Sequence, residues 1–232
     1  MKLSIIIPVY NEKNTILEIL RKVESAQSPG IEQEIILVDD GSSDGSREVL
    51  KTLEQKYRVI YHARNMGKGM ALRTGFGAAQ GDVVLVQDAD LEYNPENYPN
   101  LLRPILDGEA EVVYGSRFLN KKFRHVFFLS HLANKFLTWF SNVLTGLDLT
   151  DMWTGYKVFK KEAIKEILPE LTAQRFEIEP ELTALISRKK YRLREVPLVF
   201  AGQNRTMEEG KKITWKDGLR SIWQMIKFNL LR

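Results

Sequence analysis

The sequence predicts an α/β domain built on a parallel sheet with helices on both faces. Short apolar runs rich in Val, Ile and Leu alternate with stretches of helical periodicity from residue 3 to about residue 115. Polar clusters directly follow three of these runs, as expected at the carboxyl ends of parallel strands. The chain has 232 residues, 44% of them apolar, which is enough to enclose a core.

The first half of the chain alternates strand and helix. Residues 3–7 form an apolar, β-branched run that ends at Pro8, which is typical of a buried strand. Residues 15–23 carry apolar side chains at helical spacing, and Asn14 is a suitable N-cap. The elements predicted after them are a strand over 35–38, a helix over 46–53, a strand over 59–61, a helix that ends near residue 79 and a strand over 82–86.

The second half carries two aromatic stretches at helical spacing, 123–144 and 215–232, and a strand is predicted between them over 192–199. Such stripes are typical of core-facing helices, but aromatic side chains beside basic ones are also typical of helices at a membrane surface. We predict one domain over residues 1–205, extended by an amphipathic helical segment over 206–232. The stripes consist of Leu129, Leu132, Phe136, Trp139 and Val143, and of Trp215, Leu219, Ile222, Trp223, Ile226 and Leu230, the second interleaved with Lys216, Arg220 and Lys227.

Composition limits the kinds of site and partner. The chain has no Cys and three His, which excludes disulfides and thiolate metal sites and argues against a His-rich zinc site. A bound metal would therefore be a hard cation with oxygen ligands. The net charge of +4 suits both an ordinary surface and attraction to phosphates or anionic lipid. The N-terminal apolar run is too short for a signal peptide, and no run approaches the roughly 18 apolar residues of a membrane span, so we expect a cytoplasmic protein.

Two carboxylates stand at the end of the fourth predicted strand, in the sequence Asp88-Ala89-Asp90. At a strand-to-loop turn such a pair can face one divalent cation, which can neutralise the charge of a bound diphosphate. Glu92 is a candidate third oxygen ligand. An isolated Asp-X-Asp is more often a solvated turn, but its position directly after an apolar strand favours the metal site.

Polar residues also follow the first two predicted strands. After the first strand, Tyr10 can stack on a nucleobase and Glu12 can accept a hydrogen bond. After the second, the carboxylates of Asp39 and Asp40 can accept hydrogen bonds from a base or a ribose. Each cluster can also be a plain strand exit with a helix cap, a role that suits Asp44.

A glycine-rich turn over residues 65–69 precedes the third predicted helix. Lys68 and Arg73 can contact phosphate there. The spacing does not match a Walker loop, and Gly67 and Gly69 can serve the backbone conformation alone. The turn is therefore a candidate phosphate contact with a purely conformational alternative.

Taken in order, these clusters resemble those of the inverting family-two glycosyltransferases with the GT-A fold, and among them the polyprenol-phosphate (dolichol-phosphate) sugar transferases. The resemblance covers nearly the whole chain. It implies a Rossmann-like, mixed but mostly parallel sheet flanked by helices, a nucleotide-sugar donor such as GDP-mannose or UDP-glucose, a polyprenyl-phosphate acceptor, and Mg²⁺ or Mn²⁺. The segments that carry it are IPVYNE (7–12), VDDGS (38–42), NMGKG (65–69), DADLE (88–92), GSR (115–117) and RTMEEGK (205–211).

The resemblance also implies roles for individual residues. Asp88 and Asp90 would take part in catalysis, and Asp90 would ligate the metal with Glu92 and Asp88 as its partners. Arg117 would contact donor or acceptor phosphate. The implied donor-binding set is Pro8, Val9, Tyr10, Glu12, Val38, Asp39, Asp40, Lys68, Asp88, Ala89, Asp90, Arg117, Arg205 and Lys211.

The chain departs from the mannosyl members of the family at two places. It has Glu92 where they have Gln, so the resemblance leaves the metal preference and the donor sugar open. They also carry an Arg in the acceptor loop, where this chain reads Phe128-Leu129-Ser130-His131. His131 or Arg124 can take the place of that Arg.

The implied reaction is an in-line attack on the anomeric carbon with inversion, while the metal and cationic side chains stabilise the departing diphosphate. A phosphate acceptor is already ionised and needs only alignment. A hydroxyl acceptor needs a general base, for which Asp151 is the candidate unless it serves a structural turn. The chain lacks the Gln-X-X-Arg-Trp pattern of processive synthases, which predicts single transfer.

Two rival activities stay open: transfer to a hydroxyl of a glycan or lipid, and a non-catalytic nucleotide-sugar-binding subunit. A dinucleotide oxidoreductase is disfavoured because Pro8-Val9-Tyr10-Asn11 follows the first strand in place of Gly-X-Gly-X-X-Gly. Since a polyprenyl chain resides in the bilayer, we expect peripheral attachment to the cytoplasmic face of a membrane. A homo-oligomer or a membrane subunit is a candidate partner, and nucleic acid is not.

Overall fold

The computed structural model describes residues 1–26, 30–120, 128–199 and 215–230, and for 128–130 and 215–220 it describes the backbone alone. The strands within these residues are β1 (Lys2–Val9), β2 (Glu32–Asp39), β3 (Arg58–Tyr61), β4 (Val83–Val86), β5 (Val112–Ser116), β6 (Lys157–Lys160) and β7 (Leu193–Pro197). The helices are α1 (Ile16–Ser25), α2 (Ser46–Lys51), α3 (Lys68–Ala78), α4 (Tyr98–Leu106), α5 (Phe128–Thr145), α6 (Lys161–Ile167), α7 (Ile178–Arg188) and α8 (Trp215–Leu230).

The seven strands form one mixed sheet in the order β3-β2-β1-β4-β6-β5-β7. Every neighbouring pair is parallel except the two pairs that β6 makes with β4 and β5. The prediction of a mostly parallel sheet flanked by helices is therefore confirmed. The reversal at β6 is the feature that the strand-and-helix alternation of the first half did not indicate.

Helices cover both faces of the sheet because its central strands are apolar on both sides. In β1, Leu3, Ile5 and Ile7 belong to the core cluster that α1 and α4 complete. Ile6 faces the opposite way and packs with Leu72 of α3 in the second cluster, to which α6 and α7 also contribute. Successive residues of a strand point to opposite faces, so a continuous apolar run is what a doubly covered strand requires.

The predicted elements of the first half are all present, with shifted ends. Helix α1 begins at Ile16 with Thr15 at the N-cap position, so the prediction of Asn14 as N-cap is wrong. The carbonyl of Glu12 accepts hydrogen bonds from the N–H groups of both Thr15 and Ile16, which fixes that start. Helix α2 ends at Lys51, two residues before the predicted end.

Several elements after β4 were not predicted. Helix α4 holds Pro99 in its first turn, where proline is tolerated, and Pro104 in its interior, which argues against a helix when the sequence is read alone. The segment with β6, α6 and α7 was also missed. The strand predicted over 192–199 corresponds to β7. Residues 200–214 lie outside the described residues, so the predicted boundary near residue 205 stays a prediction.

The aromatic stripe of α5 faces outward. Leu132, Phe136, Trp139 and Val143 are between 50 and 62% exposed, so the core-facing interpretation is wrong for these four residues. The opposite side of α5 packs into the molecule through Leu137, Phe140 and Leu144 and through the buried polar residues Thr138 and Ser141. The helix therefore carries an apolar face on each side, one buried and one open.

Helix α8 packs against α5 and α7 through Met225 and Phe228, while Trp223 and Leu230 stay exposed. We call the exposed apolar residues of the two helices, Leu132, Phe136, Trp139, Val143, Trp223 and Leu230, the α5/α8 apolar surface. Of the helices in the described part of the chain, none combines the length and apolar character that a bilayer crossing requires.

Candidate functional site

The loops at the carboxyl ends of the parallel strands enclose a cavity of about 520 Å³, a size common among ligand sites. Loops after β1, β2, β4 and β5 contribute to it, together with the start of α3, the connection before β6 and the start of α7. The lining residues are Pro8, Val9, Tyr10, Glu12, Asp40, Asn65, Gly67, Lys68, Ala71, Asp88, Ala89, Asp90, Glu92, Tyr93, Arg117, Trp153, Gly155, Arg175, Phe176 and Glu179.

The loops after β1 and β2 are tied together by Asn11. Its backbone has φ +55°, in the left-handed region that Asn tolerates better than most residues. Its side-chain carbonyl accepts a hydrogen bond from the N–H of Ser43 at 2.9 Å, and its own N–H donates to the hydroxyl of Ser42 at 3.0 Å. Gly41, with φ +74°, leaves no room for a side chain against the backbone of Arg64. These contacts bring three strand-end segments to one side of the cavity.

Asp40 lines the cavity and holds the glycine-rich turn in place. It is 3% exposed, and its carboxylate accepts hydrogen bonds from the N–H groups of Met66 at 2.9 Å and Gly67 at 2.7 Å. His62 Nδ1 lies 2.8 Å from the same carboxylate, and its Nε2 is 3.0 Å from the Thr74 hydroxyl. The structure thus gives Asp40 a positioning role that the sequence prediction did not include.

Asp39 and Val38 do not line the cavity. The Asp39 carboxylate is fully buried and accepts hydrogen bonds from Arg47 at 2.6 Å and from the N–H of Ser42 at 3.1 Å. Val38 packs in the core beneath Ala71 of α3. Both residues are therefore removed from the predicted donor-binding set, because their side chains serve the loop and the core.

Lys68, at the start of α3, reaches the first carboxylate of the Asp-X-Asp sequence. Its Nζ lies 2.8 and 3.2 Å from the two carboxylate oxygens of Asp88, and 3.3 Å from Glu179. The predicted phosphate contact is thus in the cavity, whereas Arg73 does not line it. In the structure as described, Asp88 is neutralised by an ammonium group of the chain itself.

Asp90 and Glu92 both line the cavity, and the residue between them in the sequence, Leu91, has a strained backbone. Leu91 is buried and has φ +63°, which is costly for a branched side chain. This turn lets the N–H of Glu92 donate to the Asp90 carboxylate at 3.1 Å. Leu91 fills the core with its side chain, so Asp90 and Glu92 are both left facing the cavity.

The predicted ligand set of Asp88, Asp90 and Glu92 does not form a closed metal cage. Among the described residues, no three His, Asp or Glu side chains converge closely enough to hold an ion by themselves. Mg²⁺ and similar hard cations are usually bound by one or two carboxylates, with water and ligand phosphates completing the shell. The carboxylates of Asp90 and Glu92 fit such a cation, provided that a phosphate-bearing ligand supplies further oxygens.

Arg117 follows β5 and is fixed by Asp151. Its Nε and Nη2 donate to the two oxygens of the Asp151 carboxylate at 2.7 and 2.8 Å, and its backbone N–H donates to the same group at 3.1 Å. Burial opposes the charge of Arg117, but Asp151 outweighs it and raises the guanidinium pKa. The guanidinium carbon also lies 5.8 Å from the ring centre of Tyr93. A permanently charged, oriented cation therefore lines the cavity.

Asp151 is consequently not placed to act as a general base. Its side chain is fully buried, and Arg117 occupies both of its oxygens. Its own backbone N–H and that of Thr150 donate to the Glu195 carboxylate of β7 at 2.9 and 2.7 Å. The structural interpretation of Asp151 is the one that the geometry supports.

Six cavity residues that follow the Asp88–Glu92 segment were not predicted. Tyr93, Trp153, Gly155, Arg175, Phe176 and Glu179 line the cavity. Gly155 lies so close to Asp88 and the Tyr93 ring that a Cβ atom would overlap both. Gly67 and Gly69 pack in the same way against the backbone of residues 173–175. A glycine-rich turn without Walker spacing was the available signal for a close chain crossing.

The remaining candidates are placed as follows. His131 stacks edge-on against Phe118, with ring centres 4.9 Å apart, and is not among the lining residues. Arg124, Arg205 and Lys211 lie outside the described residues. The predicted donor contacts of Arg205 and Lys211 and the Arg124 alternative are therefore still predictions.

Comparison with known proteins links this site to one family. The model of "Glycosyl transferase family 2" matches residues 4–168. A dolichol-phosphate mannosyltransferase of Pyrococcus furiosus is 32% identical over 233 residues, and the match covers 98% of this chain and 64% of that protein. A UDP-N-acetylglucosamine–dolichyl-phosphate N-acetylglucosaminyltransferase of Methanococcus voltae is 28% identical, with 90% and 89% covered.

The fold is also found among solved structures. Glucosyl-3-phosphoglycerate synthase from Mycobacterium tuberculosis, in complex with Mn²⁺, uridine diphosphate and phosphoglyceric acid, superposes with a TM-score of 0.72. It is 22% identical, and the match covers 99% of this chain and 78% of that one. At this identity the likeness concerns the fold.

Proposed function

The chain belongs to glycosyl transferase family 2, and from this premise we propose that it transfers a hexose, with inversion, from a nucleoside-diphosphate sugar to polyprenyl phosphate. The observation that supports this most strongly is that Asp40 and Asp90, from the ends of different strands, line one cavity together with Lys68 and Arg117. Two relatives named for dolichyl-phosphate acceptors point to the same substrate class.

The donor is proposed to lie across the strand ends. Tyr10 and Glu12 lie on the side of Asp40, where a base and ribose can stack and donate hydrogen bonds. Lys68 and Asp90 also line the cavity and are proposed to face the diphosphate. The sugar would then face the far wall, which Trp153 and its neighbours form. The proposed donor contacts of the described residues are Pro8, Val9, Tyr10, Glu12, Asp40, Lys68, Asp88, Ala89, Asp90 and Arg117.

A divalent cation, Mg²⁺ or Mn²⁺, is proposed as the cofactor. Asp90 would hold it, with Glu92 beside it and Asp88 within the same loop. When bound, it would neutralise charge that develops on the departing diphosphate. The turn at Leu91 would orient the carboxylates of Asp90 and Glu92 toward the cation. Lys68 and Arg117 would add positive charge beside the diphosphate.

A phosphate acceptor suits the site better than a hydroxyl acceptor. The carboxylate predicted as a base for a hydroxyl, Asp151, is buried and bound to Arg117. A lipid phosphate is ionised near neutral pH and needs no base, only alignment against a cation. Arg117, held by Asp151, is the residue proposed to align it.

Incubation of the protein with radiolabelled nucleotide sugar, polyprenyl phosphate and Mn²⁺ tests the activity. We expect a lipid product that mild acid hydrolyses. A product that is stable to mild acid would instead indicate transfer to a hydroxyl, and donor binding without product for any acceptor would indicate a binding subunit. A thermal-shift screen of nucleotide sugars with Mn²⁺ identifies the donor to use.

The Asp90→Ala variant tests the metal assignment. We expect complete loss of turnover, because the carboxylate that would ligate the cation is removed, with an unchanged melting temperature. Retained turnover at saturating Mg²⁺ would contradict the assignment.

The α5/α8 apolar surface is proposed to rest on the membrane that holds the acceptor. Its four α5 residues recur at helical spacing on one face of that helix, unlike the scattered single exposures that are normal on soluble proteins. Exposed Lys135 and Lys227 lie on the same two helices and can pair with anionic headgroups. Flotation with phosphatidylglycerol vesicles should carry the protein upward, and no binding to them would contradict this proposal.

A further inference from the structure

A row of four charges, buried at one end and facing the cavity at the other, lies at the far wall of the cavity. In order, it consists of Lys157, Glu179, Lys68 and Asp88. Lys157 Nζ is 2.5 Å from Glu179 Oε2, Lys68 Nζ is 3.3 Å from Glu179 Oε1, and Lys68 is 2.8 Å from Asp88. Each Glu179 oxygen thus holds a different lysine, and the row alternates in sign.

The outer end of the row is anchored in the protein interior. The Lys157 side chain is 2% exposed, and its ammonium also donates to the carbonyls of Met152 and Thr154 at 3.2 and 2.5 Å. The ring centre of Tyr114 lies 4.5 Å from the same ammonium. With every donor engaged, Lys157 is a fixed support for Glu179 and does not reach the cavity.

Glu179 lines the cavity but is only 4% exposed. Burial alone would raise the pKa of its carboxyl, but Lys157 and Lys68 outweigh burial and lower it. Burial also opposes the charge of Lys68, whose pKa is nevertheless raised by Asp88 and Glu179. Both groups are therefore charged at neutral pH, and each charge depends on its neighbours in the row.

We propose that Glu179 is a positioning residue that draws Lys68 partly away from Asp88 and so sets how strongly the Asp88–Asp90 loop attracts a divalent cation. This rests on the proposed function, because it assumes that the cation binds at that loop. Lys68 can pair with either carboxylate. When the Lys68 ammonium also pairs with Glu179, it neutralises Asp88 less completely. Asp88 then attracts a divalent cation more strongly.

The proposal predicts that Glu179→Gln and Lys68→Met change the Kd for Mn²⁺ in opposite directions. Removal of the Glu179 charge, in Glu179→Gln, leaves Lys68 to Asp88 alone, so the Kd for Mn²⁺ should rise about threefold to tenfold. Removal of the Lys68 charge, in Lys68→Met, frees Asp88, so the Kd for Mn²⁺ should fall. A loss of structure would weaken Mn²⁺ binding in both.

A double-mutant cycle on Mn²⁺ binding is the deciding experiment. Binding is followed by electron paramagnetic resonance of free Mn²⁺, with UDP or GDP, whichever raises the melting temperature of the wild-type protein. If Glu179 acts through Lys68, the Kd of Lys68→Met with Glu179→Gln should equal that of Lys68→Met alone. Equal effects of Glu179→Gln with and without Lys68, or no effect at all, would overturn the inference.

Two further variants serve as a control for the loss of a buried carboxylate and as a remedy for misfolding. Glu181→Gln removes a second buried carboxylate of α7 that holds Thr172 and Ala173 but does not touch Lys68, so it should leave the Kd for Mn²⁺ unchanged. If Glu179→Gln fails to fold, Lys157→Met is added to the two proteins that carry Glu179→Gln, since no buried ammonium then lacks its partner. Absence of Mn²⁺ binding to the wild-type protein with either nucleotide would instead count against the proposed function.

Discussion

The orientation of Arg117 depends on the carboxylate of Asp151, which was predicted from the sequence as a general base. A guanidinium held at two points by Asp151 has a fixed direction, which a flexible ammonium does not share. The Arg117→Lys variant should therefore keep the charge and lose the alignment. We expect turnover to fall on the order of 100-fold, as for the loss of one oriented donor at a reaction centre.

The change in kcat at saturating donor is the measurement for Arg117→Lys. Arg103→Lys on α4 is the matched control, because that side chain is 80% exposed and lies away from the cavity. Wild-type turnover in Arg117→Lys would show that orientation at this residue does not matter.

Gly155 is a second residue whose role depends on its neighbours, because Asp88 and the Tyr93 ring pack directly against it. An added methyl group would overlap the Asp88 carboxylate and the Tyr93 ring, so Gly155→Ala should displace Asp88 and reduce turnover at least tenfold. Gly77→Ala is the control, because in α3 its Cβ atom would meet only Leu168, at 3.8 Å. That variant should keep full activity and gain about 0.5–1 kcal/mol of stability. Equal activity of the two variants would contradict the close packing at Asp88.

Asp39 and Asp40 show which feature of single residues could not be predicted from the sequence, namely the direction of a side chain at the end of a strand. Asp39 ends β2 and Asp40 follows it, and both were predicted to bind the donor. Successive residues of a strand point in opposite directions, so at most one of the two can face the cavity. The choice depends on the exact end of the strand, which the sequence did not give.

Glu34 acts at the scale of elements, because its carboxylate joins β2 to β1 and to the turn before β4. It accepts hydrogen bonds from the Ser4 hydroxyl and from the N–H groups of Gln80, at 2.6 Å, and Gly81, at 3.1 Å. Lys2 is 3.0 Å away. Burial would raise the Glu34 pKa, but these partners outweigh it and hold the pKa below the ordinary value of 4.5.

The free energy of unfolding should reflect this shift. A lowered folded-state pKa contributes stability that is present above pH 4.5 and is lost as the pH falls through the folded-state value. Glu34→Gln should therefore cost about 1–3 kcal/mol at pH 7, and the difference from the wild-type protein should shrink on acidification. Urea unfolding at several pH values measures it, and a difference that does not vary with pH would refute the linkage.

The elements that sequence reading found are those with an uninterrupted apolar signal, such as β1 and β4. The missed strand β6 begins with Lys157, a charged residue that is buried because Glu179 neutralises it. A buried ion pair erases the apolar pattern on which strand prediction depends. Helix α4 was missed because Pro104 lies in its interior, a position at which proline normally argues against a helix.

At the scale of the whole molecule, the location of the site followed from the fold. Parallel strands place their carboxyl ends at one edge, so the clusters after β1, β2 and β4 had to meet. The far wall did not follow, since Arg175, Phe176 and Glu179 come from a segment with no predicted element. The α5 stripe was recognised as a stripe, but its exposure depends on which side α8 covers.

The proposed membrane contact of the α5/α8 apolar surface can be tested on the whole molecule. Phe136→Ser combined with Trp139→Ser should abolish flotation with phosphatidylglycerol vesicles. The melting temperature should hardly change, because both side chains are half exposed or more. Leu106→Ser, an equally exposed apolar residue on α4, should still float. Loss of binding in all variants alike, or in none, would place the contact elsewhere.

The reversed strand β6 has one more consequence. In a sheet whose strands all run one way, only segments that leave a strand arrive at the reactive edge. Here the connection carrying Trp153 and Gly155 arrives there on its way into β6, and from the same strand Lys157 reaches beneath it. A single antiparallel insertion thus gives the cavity a wall that comes from a different connection than the loops after β1, β2 and β4.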